Sequence, residues 1–181
     1  MTTDVSPEIP LDVGPAERIT LAVERFGETD VVERAIALLG GFNVGEEFLL
    51  YAGGTHAQGI IDGAPPLYWP EVWGARTLLF AWNDTARDAV VAGLVNQAWR
   101  VREMSAKVVA TRALAEAEHL RPLLADTNAR VRTAAARALA EVGEAIDGDA
   151  IRSLFKDPDI EVRKGAGDAS RRFERRLGAK P

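Results

Sequence analysis

The sequence predicts an all-α fold: an α-solenoid of stacked antiparallel helix pairs, preceded by an N-terminal helical cap. Three observations carry that reading. A nine-residue unit recurs at a spacing of 30–31 residues: Leu94-Val95-Asn96-Gln97-Ala98-Trp99-Arg100-Val101-Arg102, then Leu124-Ala125-Asp126-Thr127-Asn128-Ala129-Arg130-Val131-Arg132, then Phe155-Lys156-Asp157-Pro158-Asp159-Ile160-Glu161-Val162-Arg163. A period of that length marks supersecondary units that bury their apolar faces on one another. Small residues recur in register as well, in Gly74-Ala75-Arg76-Thr77-Leu78, Ser105-Ala106-Lys107-Val108-Val109, Ala135-Ala136-Arg137-Ala138-Leu139 and Ala166-Gly167-Asp168-Ala169-Ser170. Finally, no segment keeps a strict alternation of apolar and polar residues for long, so no strand is predicted.

The elements follow in order. Residues 1–14 read as a flexible leader, interrupted by Pro10, Gly14 and Pro15. Pro15 suits the first turn of a helix, where its missing N–H would have no intrahelical partner. Ile19, Leu21, Ala22, Val23 and Phe26 give that helix an apolar face, and Gly27 stops it. Asp30 is read as the cap of the next helix, with Glu33 closing a capping box. Val31, Ala35, Leu38 and Leu39 form its buried stripe, and Gly40-Gly41 ends it. Two short helices are expected at Glu46–Ala52 and at Thr55–Ile61, separated by Gly53-Gly54, with Thr55 as a cap. Gly63-Ala64-Pro65-Pro66 is the clearest punctuation, so residues 15–63 are assigned to the capping segment and residues 64–181 to the repeat array.

Within the array, the small residues let neighbouring first helices approach closely, and the basic residue between them is expected to face water. Second helices are expected over about residues 85–95, 115–125 and 148–156, with Pro122 starting or kinking a turn. The last copy carries Asp168, Ser170, Arg171 and Arg172 in place of apolar residues, as expected for a terminal repeat.

Composition narrows the function classes. The chain has 181 residues, 47% hydrophobic and 27% charged, with a net charge of −5. Residues 1–63 hold eleven acids against three bases, whereas residues 160–181 hold seven bases against three acids. An acidic body argues against broad binding to phosphate backbones, which needs clustered Lys and Arg. The absence of cysteine excludes disulfides, thiolate metal sites and a thiol nucleophile. No signal peptide and no stretch of the ~20 apolar residues that span a bilayer is read. The expectation is therefore a cytoplasmic protein with no membrane partner.

The stretch Asp126…Val131-Arg132-Thr133-Ala134-Ala135-Ala136-Arg137-Ala138-Leu139…Gly143 resembles the bacterial HEAT repeat, in the short form also found in phycobilisome-lyase-like proteins. Asp157…Val162-Arg163 and Asn96…Val101-Arg102 are further copies. Tyr68-Trp69-Pro70-Glu71-Val72-Trp73-Gly74-Ala75-Arg76 is similar to the entry of such arrays. The resemblance implies a protein-binding scaffold and no particular reaction. It also implies that Asp126 with Arg132, Asp157 with Arg163, and Asn96 with Arg102 belong to a structural ladder that ties one repeat to the next. Asn96 stands where the other copies have an acid, so that position lacks charge assistance.

No catalytic residue, metal ligand or cofactor site is predicted. His56 and His119 fit no multi-histidine spacing, and Gly53-Gly54-Thr55-His56 lacks the full spacing and the lysine of a phosphate loop. The favoured function is a non-enzymatic scaffold that binds a protein partner on a concave face lined by second helices. Candidate contacts there are Arg87, Val91, Leu120, Arg121 and Arg152. The alternative is a nucleic-acid binder or a DNA glycosylase-like enzyme, in which Trp99 and Arg100, with Asp88 or Glu103, form a concave cluster. Trp69 and Trp73, four residues apart, are expected to stack on one helix face. A further partner reading is self-association, with the acidic N-terminal segment of one copy on the basic end of another.

Overall fold

The computed structural model describes residues 9–178, which contain eleven α-helices and no strand. Contacts divide the chain into two compact units, Met1–Asn83 and Asp84–Pro181. The leader assigned to residues 1–14 falls outside the described residues as far as residue 8. Beyond it, Arg18 donates to the carbonyls of Leu11 and Val13 and fastens residues 11–13 to the first helix.

The first unit holds α1 (Pro15–Phe26), α2 (Glu28–Leu39), α3 (Glu46–Gly53), α4 (Thr55–Ile61) and α5 (Trp69–Thr77). Gly27 joins α1 to α2 in a single residue: its N–H donates to Val23 O at 2.8 Å, and its φ of 84° is one that other residues rarely adopt. That early start places Asp30 inside α2, where it accepts from Arg34 Nε at 2.9 Å instead of capping the helix. Thr55 is likewise not a cap. It is the first residue of α4, and its hydroxyl donates to Leu11 O at 3.3 Å. The predicted stripe of α2 is buried: Val31, Ala35, Leu38 and Leu39 are all at most 5% exposed.

α5 packs on α2, and Gly74 makes that possible. A β-carbon there would lie 2.5 Å from Leu39 N and 2.7 Å from Ala35 O. The first unit therefore runs past the Gly63–Pro66 punctuation at which the array was expected to begin. Trp69 and Trp73 do stack along α5, with ring centroids 6.5 Å apart, and His56 stacks on Trp69 from α4. Arg76 is not fully exposed to water as expected, because its Nη2 reaches Ala52 O at 2.6 Å.

In the second unit the long helices are α7 (Trp99–Arg112), α9 (Ala129–Val142) and α11 (Ile160–Gly178). α7 packs on α9 and α9 on α11, in chain order. Between them run α6 (Arg87–Gly93), α8 (Ala117–Leu120) and α10 (Asp147–Ser153). Each of these three adjoins a 3-10 turn, at Asp84–Ala86, Arg121–Ala125 and Leu154–Lys156 respectively. Pro122 sits at the start of the middle one, where its missing N–H costs no bond. Val101, Val108, Val131, Leu139, Ile151 and Val162 fill the core and are completely buried. The fold is an α-solenoid built from helix pairs.

Candidate functional site

The residues that recur in sequence make a recurring set of bonds. Asn96, Asp126 and Asp157 each accept, through Oδ1, the backbone N–H two residues on, at 2.8, 2.8 and 2.9 Å. Each arginine six residues after them turns its Nη1 back onto the carbonyl of that same residue: Arg102 to Asn96 O at 2.8 Å, Arg132 to Asp126 O at 2.8 Å, Arg163 to Asp157 O at 2.7 Å. The other edge of the guanidinium faces the following copy. Arg102 grips Asp126 through Nε and Nη2, at 2.7 and 2.9 Å. Arg132 grips Asp157 the same way, at 2.7 and 2.8 Å. These are bidentate charge-assisted pairs, the strongest hydrogen-bonding geometry open to arginine.

The electrostatics follow from those bonds. Burial pushes the Asp126 carboxyl upward, but the hydrogen bonds from Arg102 and the Asn128 N–H outweigh it and hold it below its ordinary value. Arg132 holds Asp157 down, against the opposing effect of burial. In return, the bond to Asp157 raises the Arg132 guanidinium further.

Residues 87–171 match the family model of HEAT repeats.

The matched span runs from the first residue of α6 into α11 and supports a HEAT-repeat protein. No curated protein matches the chain. Within the matched span a second set of ties links the shorter helices. Arg87 on α6 pairs with Glu116 at 3.0 Å, and Arg121 pairs with the buried Asp147 at 2.6 Å. Two of the arginines offered as partner contacts are thus spent between repeats. Arg152 pairs with Asp149 at 2.7 Å and lies 3.7 Å from Glu174. Leu120 cannot meet a partner at all, because it is completely buried: it faces inward from the last turn of α8. Val91 is half-buried.

A recess lies on the long helices instead. It measures about 590 Å³ and crosses α7, α9 and α11. Ala110, Ala129, Ala134 and Thr133 contribute small side chains to it. Around them stand four bases, Lys107, Arg130, Arg137 and Arg172, and four acids, Glu103, Glu141, Asp159 and Glu161. Glu103 is only 7% exposed and takes both Lys107 Nζ at 2.7 Å and Arg130 Nη2 at 3.1 Å, which ties α7 to α9. Trp99 stands at the start of α7, with Arg100 Cζ 4.1 Å and Arg130 Cζ 5.4 Å from its ring centroid. Trp99, Arg130 and Glu103 therefore meet, but Glu103 is already held by two cations. Among the described residues no group of three or more His, Asp or Glu could hold a metal ion, and no helix is long and apolar enough to cross a membrane.

Sequence reasoning placed Glu103 beside Trp99 but missed Arg130 and the small residues of the recess. A signal for them existed. Lys107 and Arg137 occupy the register between small residues that was expected to face water, and residues three and four away share their helix face.

Proposed function

We propose that this chain is a non-enzymatic scaffold or adaptor that binds a protein partner in the recess across α7, α9 and α11. The observation that carries the reading is the recess itself: small side chains with charged residues of both signs around them, on helices tied together by bidentate arginine–aspartate pairs. Small side chains admit the side chains of an incoming peptide or helix, and a rim of both signs orients it. The four bases are matched by four acids, so the rim offers no net positive field to a phosphate backbone. That balance favours protein over nucleic acid. The Asp126…Arg132…Gly143 pattern supports assignment to the short bacterial form of the repeat, as in phycobilisome-lyase-like proteins, working in the cytoplasm.

The test uses Ala110→Arg, which fills the recess from α7 at a half-buried position. Affinity capture with the wild-type chain should retain a partner that the variant releases, while both chains unfold at the same urea concentration. Equal capture by both chains would refute the site. Salt-sensitive binding of a short DNA duplex by the wild-type chain would instead favour the nucleic-acid alternative.

A further inference from the structure

We infer that the outer face of the α10–α11 pair is a docking surface for a second protein, one that presents an aspartate at the start of a helix, and that Arg163 reads that aspartate. This face is separate from the recess across α7, α9 and α11, and its test is independent of that site.

Three copies of the same arginine set the case. Arg102 and Arg132 each use Nη1 on their own loop and give the Nε–Nη2 edge to the next aspartate. Arg163 keeps the first half of the arrangement, donating from Nη1 to Asp157 O at 2.7 Å and to Pro158 O at 3.0 Å. Its guanidinium is thereby held as the other two are, yet no carboxylate among the described residues takes its Nε–Nη2 edge. The edge is a preorganised fork for a carboxylate.

Phe155 points to the same face independently. In the aligned copies its position holds Leu94 and Leu124, which are 0% and 9% exposed, whereas Phe155 is 44% exposed. Around Leu124, the turn Arg121–Ala125 is covered by α10 of the next copy. Phe155 has the apolar character of that position without the cover. Phe155, Arg163, Gly167, Ser170, Arg171 and Glu174 line a recess of about 400 Å³. The acid among them, Glu174, already accepts from Ser170 Oγ at 3.0 Å. Residues 160–181 carry seven bases against three acids, which favours an acidic visitor.

A second copy of this chain fits poorly as the occupant. At the start of its array the equivalent residue is Asn96, whose one side-chain oxygen already accepts the Ala98 N–H at 2.8 Å. Its amide nitrogen would set a donor against a guanidinium donor. A true carboxylate is required.

The probe is a labelled synthetic peptide copying residues 117–142, the segment whose Asp126 fills the fork of Arg102. It is titrated with the full chain, with binding read by fluorescence anisotropy. The wild-type chain should bind it. Asp126→Asn in the peptide, or Arg163→Ala in the chain, should each weaken binding about tenfold, the loss expected for one hydrogen-bonded charge pair. The two changes together should weaken it no more than either alone. Arg163→Lys keeps the charge but loses the fork, and should bind as weakly as Arg163→Ala. Absence of binding at millimolar chain would overturn the inference. So would wild-type affinity in Arg163→Ala or in Arg163→Lys. Light scattering that shows a dimer lost in Arg163→Ala would identify a second copy as the occupant and overturn the choice of partner.

Discussion

Arg132 holds Asp157 across 25 residues of sequence through two parallel bonds of 2.7 and 2.8 Å, and the two side chains are only 13% and 5% exposed. Truncating the arginine leaves a carboxylate with little water and only the Asp159 N–H as a partner. Arg132→Ala should therefore lower unfolding stability by about 3 kcal/mol, within the range for breaking a buried pair. Arg163→Ala loses only the bonds to its own loop and should cost about 1 kcal/mol. Urea unfolding of the two variants gives the comparison, and equal losses would contradict an inter-repeat role for Arg132.

The same carboxylates make the fold sensitive to acid. Asp126 and Asp157 both lie below their ordinary values in the folded chain. A carboxyl depressed by folding contributes stability that is present above its unfolded value and disappears as pH falls through its folded value. Stability should hold above about pH 5 and decline steadily below about pH 4. Replacing both with asparagine should lower stability at neutral pH and flatten the acid limb. Urea midpoints measured across that range provide the test, and a wild-type chain that gains stability on acidification would rule the linkage out.

Gly74 is where α5 meets the backbone of α2. The obstruction to a β-carbon is Leu39 N at 2.5 Å and Ala35 O at 2.7 Å, neither of which can rotate away. Gly74→Ala should destabilise by about 2 kcal/mol, despite the better helix propensity of alanine. A thermal melt at or above the wild-type temperature would show that the two helices separate freely.

Ser105 offers the opposite case. It is completely buried in α7, and its Oγ has no hydrogen-bond partner among the described residues. The aligned residues in α9 and α11 are Ala135 and Ala166, both completely buried. Ser105→Ala removes an unsatisfied hydroxyl without changing the helix contact and should raise stability by about 1 kcal/mol. A loss of stability on calorimetry would mean that the hydroxyl has a role the geometry does not show.

The long helices were legible because their pattern repeats. Asn96, Asp126 and Asp157, each with an arginine six residues on, mark where α7, α9 and α11 begin. The caps of α2 and α4 were not legible. Gly27 and Gly54 take backbone angles that start each helix earlier than the nearest polar side chain suggests. Arg18 was invisible as a structural residue. It is 5% exposed and bonds Tyr51 O at 3.0 Å, and no local pattern announces a guanidinium with a carbonyl partner 33 residues away. The recess across α7, α9 and α11 was not foreseen, since periodicity identifies the exposed side of a helix but not which helices surround an opening.

The spans of the rungs matter for how this chain reaches its structure. Arg102 finds Asp126 after 24 residues and Arg132 finds Asp157 after 25. Each tie closes a short loop, and none waits for a distant part of the chain. Contacts so near in sequence favour rapid folding, which can nucleate at any one copy and spread to its neighbours. During synthesis on a ribosome, each rung could clasp as soon as the next aspartate emerges.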